Sequence, residues 1–301
     1  MRLRLLKVSL VILGAGLSGC TEGILATHGP IGASEKILLL EALITMLVVV
    51  VPVILLALAY FWWFRSTNKK AIYRPDWEYS GRIEFSIWMI PLLVVLFLSA
   101  IAWTGAHDLD PYQPIESEQK ALNVQVVSMD WKWLFIYPDL GIASVNELAV
   151  PVGVPINFKL TSATVMNSFF IPSVGGQIYT MAGMQTSLSL QITDEGNYEG
   201  LSAQFSGDGF SDMHFPVLAT NQAGFDAWVA KVKGGSESLD QGVYSRLADA
   251  HKTSGIEHFS SVDNDIFGYA MRRSVGPVAL NPERGAKTAM ANDSMALGME
   301  H

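Results

Sequence analysis

EGLSAQFSGDGFSDMHFP, residues 199–216, is a glycine-rich stretch in which small polar residues are spaced among aromatic ones. Its glycines predict a loop that folds back on itself, because glycine adopts positive φ without steric cost. The stretch has the form of a metal-binding loop with positions for soft ligands. Of the side chains at those positions, only that of Met213 is a soft donor. We therefore expect a loop that keeps the form of a metal site and has lost its metal.

The composition predicts a membrane anchor joined to a soluble domain. Half of the 301 residues are hydrophobic and 16% are charged, with a mean hydropathy of +0.29. The formal charge of −8 argues against a nucleic-acid partner, which would favour a basic surface. Because Cys20 is the one cysteine, the sequence excludes an intrachain disulfide and any site that needs two thiolates from this chain.

Residues 1–19 resemble a signal peptide, with basic residues followed by a short apolar run. The run ends in Leu-Ser-Gly-Cys, which resembles a bacterial lipoprotein cleavage box. This resemblance implies that Cys20 is acylated on its thiol and becomes the mature amino terminus. The alternative is a cysteine that happens to end an apolar segment. Residues 20–36 would then form a periplasmic amino-terminal segment.

Two apolar runs, residues 37–64 and 85–104, predict a hairpin of transmembrane helices. Each has the length of about 20 residues that a helix needs to cross the hydrocarbon core. The connecting loop, residues 65–84, carries five basic residues, which places it in the cytoplasm by the positive-inside rule. The domain that follows is then periplasmic, and the chain contacts membrane lipids in a bacterial inner membrane.

Glu84 precedes the second apolar run, and two interpretations of it stay open. A carboxylate at this depth still reaches water, so an interfacial residue is the simpler one. The functional alternative is a proton-uptake group, because ionisable residues at membrane depth often belong to proton relays.

Residues 120–222 predict a small β-sandwich or barrel. Several segments alternate apolar and polar residues, the period of a half-buried strand, and turn residues separate them. Trp131, Trp133, Phe135 and Tyr137 also alternate, so in a strand they would share one face. They form either an aromatic ladder in the core or, at Trp131 and Trp133, an aromatic interface with a membrane partner.

Asp130-Trp131-Lys132-Trp133, the preceding hairpin and the loop that opens at Glu199 resemble subunit II of the haem-copper respiratory oxidases. The order of parts is similar too, from the lipoprotein box to about residue 275. The resemblance implies a membrane α-hairpin followed by an all-β cupredoxin-like Greek-key sandwich, with a short helical carboxy-terminal extension.

The members of that family that oxidise cytochrome c hold a dinuclear copper site, and the present sequence departs from its pattern. Asparagine and phenylalanine replace the two histidines, serines replace both cysteines, glutamine replaces the glutamate, and the methionine is kept. The positions are Asn167, Phe210, Ser202, Ser206, Gln204 and Met213. Because thiolates are the donors that hold such a copper pair, we expect no metal and no redox centre in this chain.

The vacated copper positions are similar to those of the bo-type ubiquinol oxidases, the quinol-oxidising branch of the family. This resemblance implies a non-catalytic subunit of a proton-pumping oxidase, with ubiquinol as the substrate of the complex. The haems and the remaining copper would belong to subunit I, the main partner, and subunits III and IV would complete the assembly. By the same resemblance, Glu84 corresponds to the acid at the mouth of a proton channel into subunit I.

Residues 223–275 predict an aromatic-rich extension, which we interpret as capping helices over the sandwich, and residues 276–301 a disordered tail. An alternative function is a membrane-anchored lipoprotein for copper delivery or envelope interaction. Its candidate ligands are His28, Met290, Met295, Met299 and His301. We interpret the other isolated histidines, among them His107, His214 and His251, as surface or structural residues.

Overall fold

The computed structural model describes residues 23–72, 74–249 and 255–279. The predicted signal peptide, Cys20, His251 and nearly all of the predicted disordered tail lie outside the described residues. The chain divides into two compact units. One comprises residues 34–110, and the other combines the described residues before 34 with those after 110.

The first unit is built from two helices, α1 (Pro30–Trp63) and α2 (Gly81–Asp108), both long and apolar enough to cross a membrane. At 1.5 Å per residue they extend for about 50 and about 42 Å, so each continues beyond the predicted apolar span. Their large apolar side chains are exposed, as expected for surfaces that meet lipid or protein. An alanine Cβ at Gly105 of α2 would lie 2.7 Å from Leu38 of α1, so this glycine permits close helix packing.

The second unit is a β-sandwich of a six-stranded and a five-stranded sheet. Along the chain the strands are β1 (Leu122–Met129), β2 (Lys132–Tyr137), β3 (Ile142–Val145), β4 (Leu148–Pro151), β5 (Pro155–Ser162), β6 (Asn167–Phe170), β7 (Gln177–Thr180), β8 (Thr186–Gln191), β9 (Gly196–Ser202), β10 (His214–Thr220), β11 (Ser238–Leu239), β12 (Glu257–Phe259) and β13 (Ser261–Val262). The sheet orders are β12-β3-β2-β1-β5-β8 and β4-β10-β9-β6-β7, and β11 pairs with β13. The fold class predicted from the sequence is confirmed.

Aromatic rings fill the space between the two sheets. Trp133 and Phe135 of β2 are fully buried and pack edge-on or tilted against Phe169 and Phe215 of the facing sheet, with centroids 5.0–6.4 Å apart. Such ring pairs add stability beyond the area they bury. Trp133 is therefore a core residue rather than an exposed interface aromatic, which corrects that interpretation for this residue.

Tyr137 completes the aromatic ladder and carries its one polar group into the core. Its hydroxyl donates to the carbonyl oxygen of Ala149 and accepts from the Ala149 N–H, both at 3.0 Å. Burial raises the pKa of this phenol above its ordinary value. The hydroxyl thus satisfies both backbone groups of a residue in β4 while it stays neutral.

The later part of the carboxy-terminal extension covers the outer face of the six-stranded sheet, whereas Phe225 and Val232 of its first helix pack with the core between the sheets. The extension contains α3 (Gln222–Lys233), α4 (Gln241–Asp249) and α5 (Ile266–Ala279), and a second apolar cluster joins Leu134 and Ile136 of β2 to Tyr244 and Phe267 of the extension. Beyond the predicted helices, β12 pairs with β3 and extends the sheet by one strand. The extension is therefore part of the sandwich architecture.

Lys132 is a charged residue that the extension buries against the six-stranded sheet. Its side chain is fully buried, and Nζ donates to the carbonyl oxygen of Leu247 at the end of α4, at 3.0 Å. Desolvation lowers the pKa of Lys132, against the opposing fields of Glu257 and Asp130. The bond fixes α4 to the start of β2.

Glu147 joins the extension to the sandwich at a second point. Its carboxylate Oε2 lies 2.6 Å from Nε2 of His258 in β12 and accepts the indole N–H of Trp228 in α3 at 3.2 Å. Because Glu147 is buried, these contacts satisfy a carboxylate that would otherwise be costly to remove from water.

Gly29, just before α1, and Gly32, in its first turn, pack closely on the sandwich. The His28 N–H donates to the Ser173 carbonyl at 2.6 Å, and the Gly32 N–H donates to that of Val174 at 2.9 Å. An alanine Cβ at Gly29 would lie 2.4 Å from the Gln191 carbonyl oxygen, and one at Gly32 would lie 2.7 Å from that of Val174, so the close approach requires glycine at both positions. The amino-terminal segment is thereby fixed to the outer domain.

Gly200→Ala should destabilise the outer domain, because the new methyl group would overlap the buried ring of Phe215. Overpacking of this kind costs about 1–3 kcal/mol in the free energy of unfolding. The measurement is thermal unfolding of the full-length chain in detergent, followed by tryptophan fluorescence. Gly255→Ala is the matched control, since a methyl group there meets no atom within 4 Å. Equal melting temperatures for the two variants would contradict the packing described.

Candidate functional site

The loop between β9 and β10 lies at one end of the sandwich, beside the first residue of β6. It contains residues 203–209 and a short 3-10 turn, Phe210–Asp212. Gly207 has a φ of +111°, a conformation that glycine adopts without strain. The pairing of β6 with β9 sets Phe169 opposite Ser202, which brings Asn167 and Ser202 together.

Asn167 and Ser202 are buried and bonded to each other. The Ser202 hydroxyl donates to the amide oxygen of Asn167 at 3.1 Å, and the Gln204 carbonyl oxygen lies 3.2 Å from the same hydroxyl. The amide nitrogen of Asn167 donates weakly to the Val165 carbonyl, at 3.4 Å. Two polar side chains thus satisfy each other inside the domain, as buried polar groups generally must.

Met213 occupies the other side of this cluster. It is 1% exposed, and its sulfur lies 3.5 Å from the Ser206 hydroxyl. Its carbonyl oxygen accepts the Ser202 N–H at 3.0 Å and lies 3.4 Å from the indole nitrogen of Trp133. Of the six positions that correspond to copper ligands in the cytochrome c-oxidising relatives, four are thus joined by hydrogen bonds or a contact with sulfur. They are Asn167, Ser202, Ser206 and Met213.

The side chains of Gln204 and Phe210 are the two that the structure does not bring into this cluster. Gln204 takes part through its backbone carbonyl. The Phe210 ring packs edge-on against Phe205, with centroids 5.6 Å apart. Phe205 is 72% exposed, so this pair lies at the surface of the loop.

Trp131 packs against the loop through a close contact between its ring and Gly209. It lies in the turn between β1 and β2 with a φ of +58°, a left-handed conformation that is unusual for an aromatic residue. Its ring lies so close to Gly209 that any Cβ there would overlap it. Its indole nitrogen is buried and has no hydrogen-bond partner among the residues that the structure describes. The sequence pattern missed this contact, since the aromatic alternation suggested that Trp131 belongs to the strand.

Known proteins resemble the chain over most of its length. The family described as cytochrome c oxidase subunit II, periplasmic domain, matches residues 141–220. The cytochrome bo(3) ubiquinol oxidase subunit 2 of Pseudomonas aeruginosa is 47% identical over 257 residues, which are 85% of this chain and 78% of that protein. The ubiquinol oxidase subunit 2 of Acetobacter aceti is 45% identical, over 93% of this chain and 92% of its own.

The chain belongs to the ubiquinol oxidase subunit 2 family. The family predicted from the sequence is thus confirmed. Among solved structures, the periplasmic domain of subunit II of the Bradyrhizobium japonicum cytochrome oxidase (CoxB) is 22% identical. It matches 40% of this chain and 98% of its own, at a TM-score of 0.37.

The side chains at these positions do not fit the dinuclear copper that the wider oxidase family implies. Two amides, two hydroxyls, a phenyl ring and one thioether stand at the six positions. Copper of this kind requires soft thiolate donors. The Ser202 hydroxyl and the Asn167 amide oxygen are already engaged with each other. Among the described residues no three histidine, cysteine or acidic side chains form a metal-binding group.

Glu84 lies in the first turn of α2 and is exposed. Its side chain makes no hydrogen bond or ion pair within the described part of the chain, so it is accessible to water or to a partner. Cys20 and the tail residues Met290, Met295, Met299 and His301 lie outside the described residues.

The isolated histidines that the structure describes are each engaged by a neighbouring group. Nδ1 of His28 lies 3.0 Å from Asp194, and that of His214 lies 2.7 Å from Glu199. His107 Nδ1 lies 2.8 Å from the carbonyl oxygen of Trp103. The hydrogen bond from His28 lowers the pKa of the Asp194 carboxyl.

Ser202→Ala should destabilise the sandwich, because it leaves the amide oxygen of Asn167 buried without its donor. A loss of about 1–3 kcal/mol in the free energy of unfolding is expected. Ser206→Ala is the matched control and should change it by less than about 0.5 kcal/mol, since only a weak contact with sulfur is lost. Denaturant titration of the full-length chain in detergent measures both. If the control variant loses as much as Ser202→Ala, the cluster is not held as described.

Proposed function

We propose that this chain is subunit II of a proton-pumping terminal ubiquinol oxidase and serves as a structural subunit without a redox centre of its own. The observation that carries the proposal is the set of residues at the six copper positions. A subunit II that accepts electrons needs a metal centre in this loop. Here the buried Ser202 and Asn167 side chains bond to each other instead.

The relatives support the part of the proposal that concerns the donor. The proteins from Pseudomonas aeruginosa and Acetobacter aceti are named as subunits of ubiquinol oxidases. Ubiquinol is lipid-soluble, so it can deliver electrons within the membrane and bypass the outer domain. The enzyme as a whole would oxidise ubiquinol and reduce oxygen to water, with the haems and copper in subunit I.

The partners in this proposal are subunit I, which would contact the hairpin, and subunits III and IV. The exposed apolar side chains of α1 and α2 supply a surface for helix packing as well as for lipid. The chain would lie in the bacterial inner membrane, with its sandwich in the periplasm and with acylated Cys20 as a second anchor. Such a lipid chain adds to membrane affinity in proportion to its buried CH₂ groups.

Purification through this chain tests the proposal directly. The preparation should show haem absorption and should take up oxygen with ubiquinol as the donor, whereas reduced cytochrome c should support no uptake. Deleting the chain should reduce assembly of the complex and its turnover. Unchanged assembly and turnover after deletion, or electron transfer from cytochrome c, would sink the proposal.

Glu84 is the proposed proton-uptake group at the cytoplasmic end of α2. Glu84→Gln removes the titratable proton with little change of shape, so it should lower ubiquinol-dependent oxygen uptake about tenfold or more while the assembled complex is unchanged. Glu78→Gln, an exposed acid in the same loop, is the matched control and should keep full turnover. Equal rates for the two variants would remove Glu84 from the proton path.

A further inference from the structure

The connection between α1 and α2 forms an open cavity of about 750 Å³, at the end of the hairpin that carries the basic loop. Its apolar wall includes Phe64, Ile72 and Trp77, and its polar wall includes Arg65, Asn68 and Arg74. These residues belong to one compact unit, far in sequence from the copper positions. From this cavity we infer a binding site for the phosphate headgroup of one anionic phospholipid.

Arg65 is held in place so that part of its guanidinium stays available. Its Nε donates to the Thr67 hydroxyl at 3.0 Å, and its Nη1 donates to the Trp62 carbonyl oxygen at 2.7 Å. Its central carbon lies 4.6 Å from the centroid of the Trp62 ring. These contacts use two of the five N–H donors of an arginine and leave three directed elsewhere. A planar guanidinium fixed in this way suits a phosphate better than a mobile ammonium does.

Arg74 supplies the second positive charge. Its side chain is exposed and makes no hydrogen bond or ion pair with the residues that the structure describes. Residues 65–82 contain five basic and two acidic residues, and neither acid, Asp76 nor Glu78, forms an ion pair in the described structure. The cavity therefore keeps a positive charge that an anion can neutralise.

The loop backbone is ordered around the cavity by Asn68. Its amide nitrogen donates to the Trp63 carbonyl oxygen at 2.6 Å, and its amide oxygen accepts the Lys70 N–H at 3.1 Å. These bonds satisfy a free carbonyl at the end of α1 and hold the turn that follows it. The turn at residues 63–70 beside the cavity is thus held by hydrogen bonds of the chain itself.

The apolar wall of the cavity favours a lipid over a free phosphate ion. Phe64, Ile72 and Trp77 are 57%, 70% and 59% exposed, so the polar site is continuous with a hydrophobic surface at the membrane end of the loop. Acyl chains would cover that surface, while the tryptophan suits the interface between headgroups and hydrocarbon. Basic residues next to the cytoplasmic end of a transmembrane helix attract anionic lipids in the same way. The inference requires only that α1 and α2 cross a bilayer.

The test uses the full-length chain in phosphatidylcholine nanodiscs, with spin-labelled phosphatidylglycerol as the probe. The motionally restricted fraction of the probe in electron paramagnetic resonance gives the association constant. Arg65→Gln with Arg74→Gln should lower this constant about 30-fold, and Arg74→Gln alone about 5-fold. The single variant guards against a folding defect, because the Arg74 side chain has no contact that the loop depends on.

Lys69→Gln with Lys70→Gln is the matched control, since it removes the same charge from the same loop without altering the cavity wall. In about 0.5 M salt the Debye length falls to roughly 4 Å, so attraction by these exposed lysines should shrink to less than about twofold. The loss caused by the arginine variants should persist there, because guanidinium groups that donate hydrogen bonds directly to the phosphate lie within that distance of it. Equal losses for the two pairs in high salt would show general surface attraction and overturn the inference.

Two further measurements distinguish a bound lipid from a free anion or a partner protein in the cavity. Excess inorganic phosphate should leave the restricted fraction of the probe unchanged, and displacement of the lipid would assign the cavity to a free anion. The chain purified with its partner subunits should keep the restricted component. Its loss in the complex would mean that protein covers this surface, which would also overturn the inference.

Discussion

The hydrogen bond between Ser202 and Asn167 is the interaction on which the sandwich depends at the end that carries the loop between β9 and β10. It joins the last residue of β9 to the first residue of β6, in the interior of the sandwich. A copper centre would join these strands by coordinating ligands from both. Here a hydrogen bond between two neutral side chains joins them instead. Because both groups are buried, neither could lose its partner without the cost of an unpaired polar atom.

Aromatic residues around this hydrogen bond also hold the loop between β9 and β10 in place. Trp133 spans the core and reaches the carbonyl of Met213, while Trp131 packs beneath Gly209 and supports the loop from the other side. The two tryptophans are separated by one residue, yet one is a core side chain and the other supports a turn. The loop therefore keeps its shape through packing and backbone hydrogen bonds.

Several features could be predicted from the sequence because they are local. The apolar runs gave the helices, the alternation in residues 122–127 gave β1, and the missing thiolates were visible directly. Features that depend on contacts distant in sequence could not be predicted. β2 is buried along its whole length because the extension covers its outer face, so it lacks a polar side. The pairing of β12 with β3 and the junction of Glu147 with His258 likewise appear only when the chain is folded.

The proposed structural role requires that this chain hold no electron-accepting copper pair. The most direct measurement is electron paramagnetic resonance of the purified full-length chain after incubation with copper, together with its near-infrared absorption. Because the chain lacks the thiolate ligands, we expect neither a mixed-valence copper signal nor a near-infrared band. A chelator should remove any copper that binds. A stable mixed-valence signal that the chain keeps after chelation would contradict the proposed structural role.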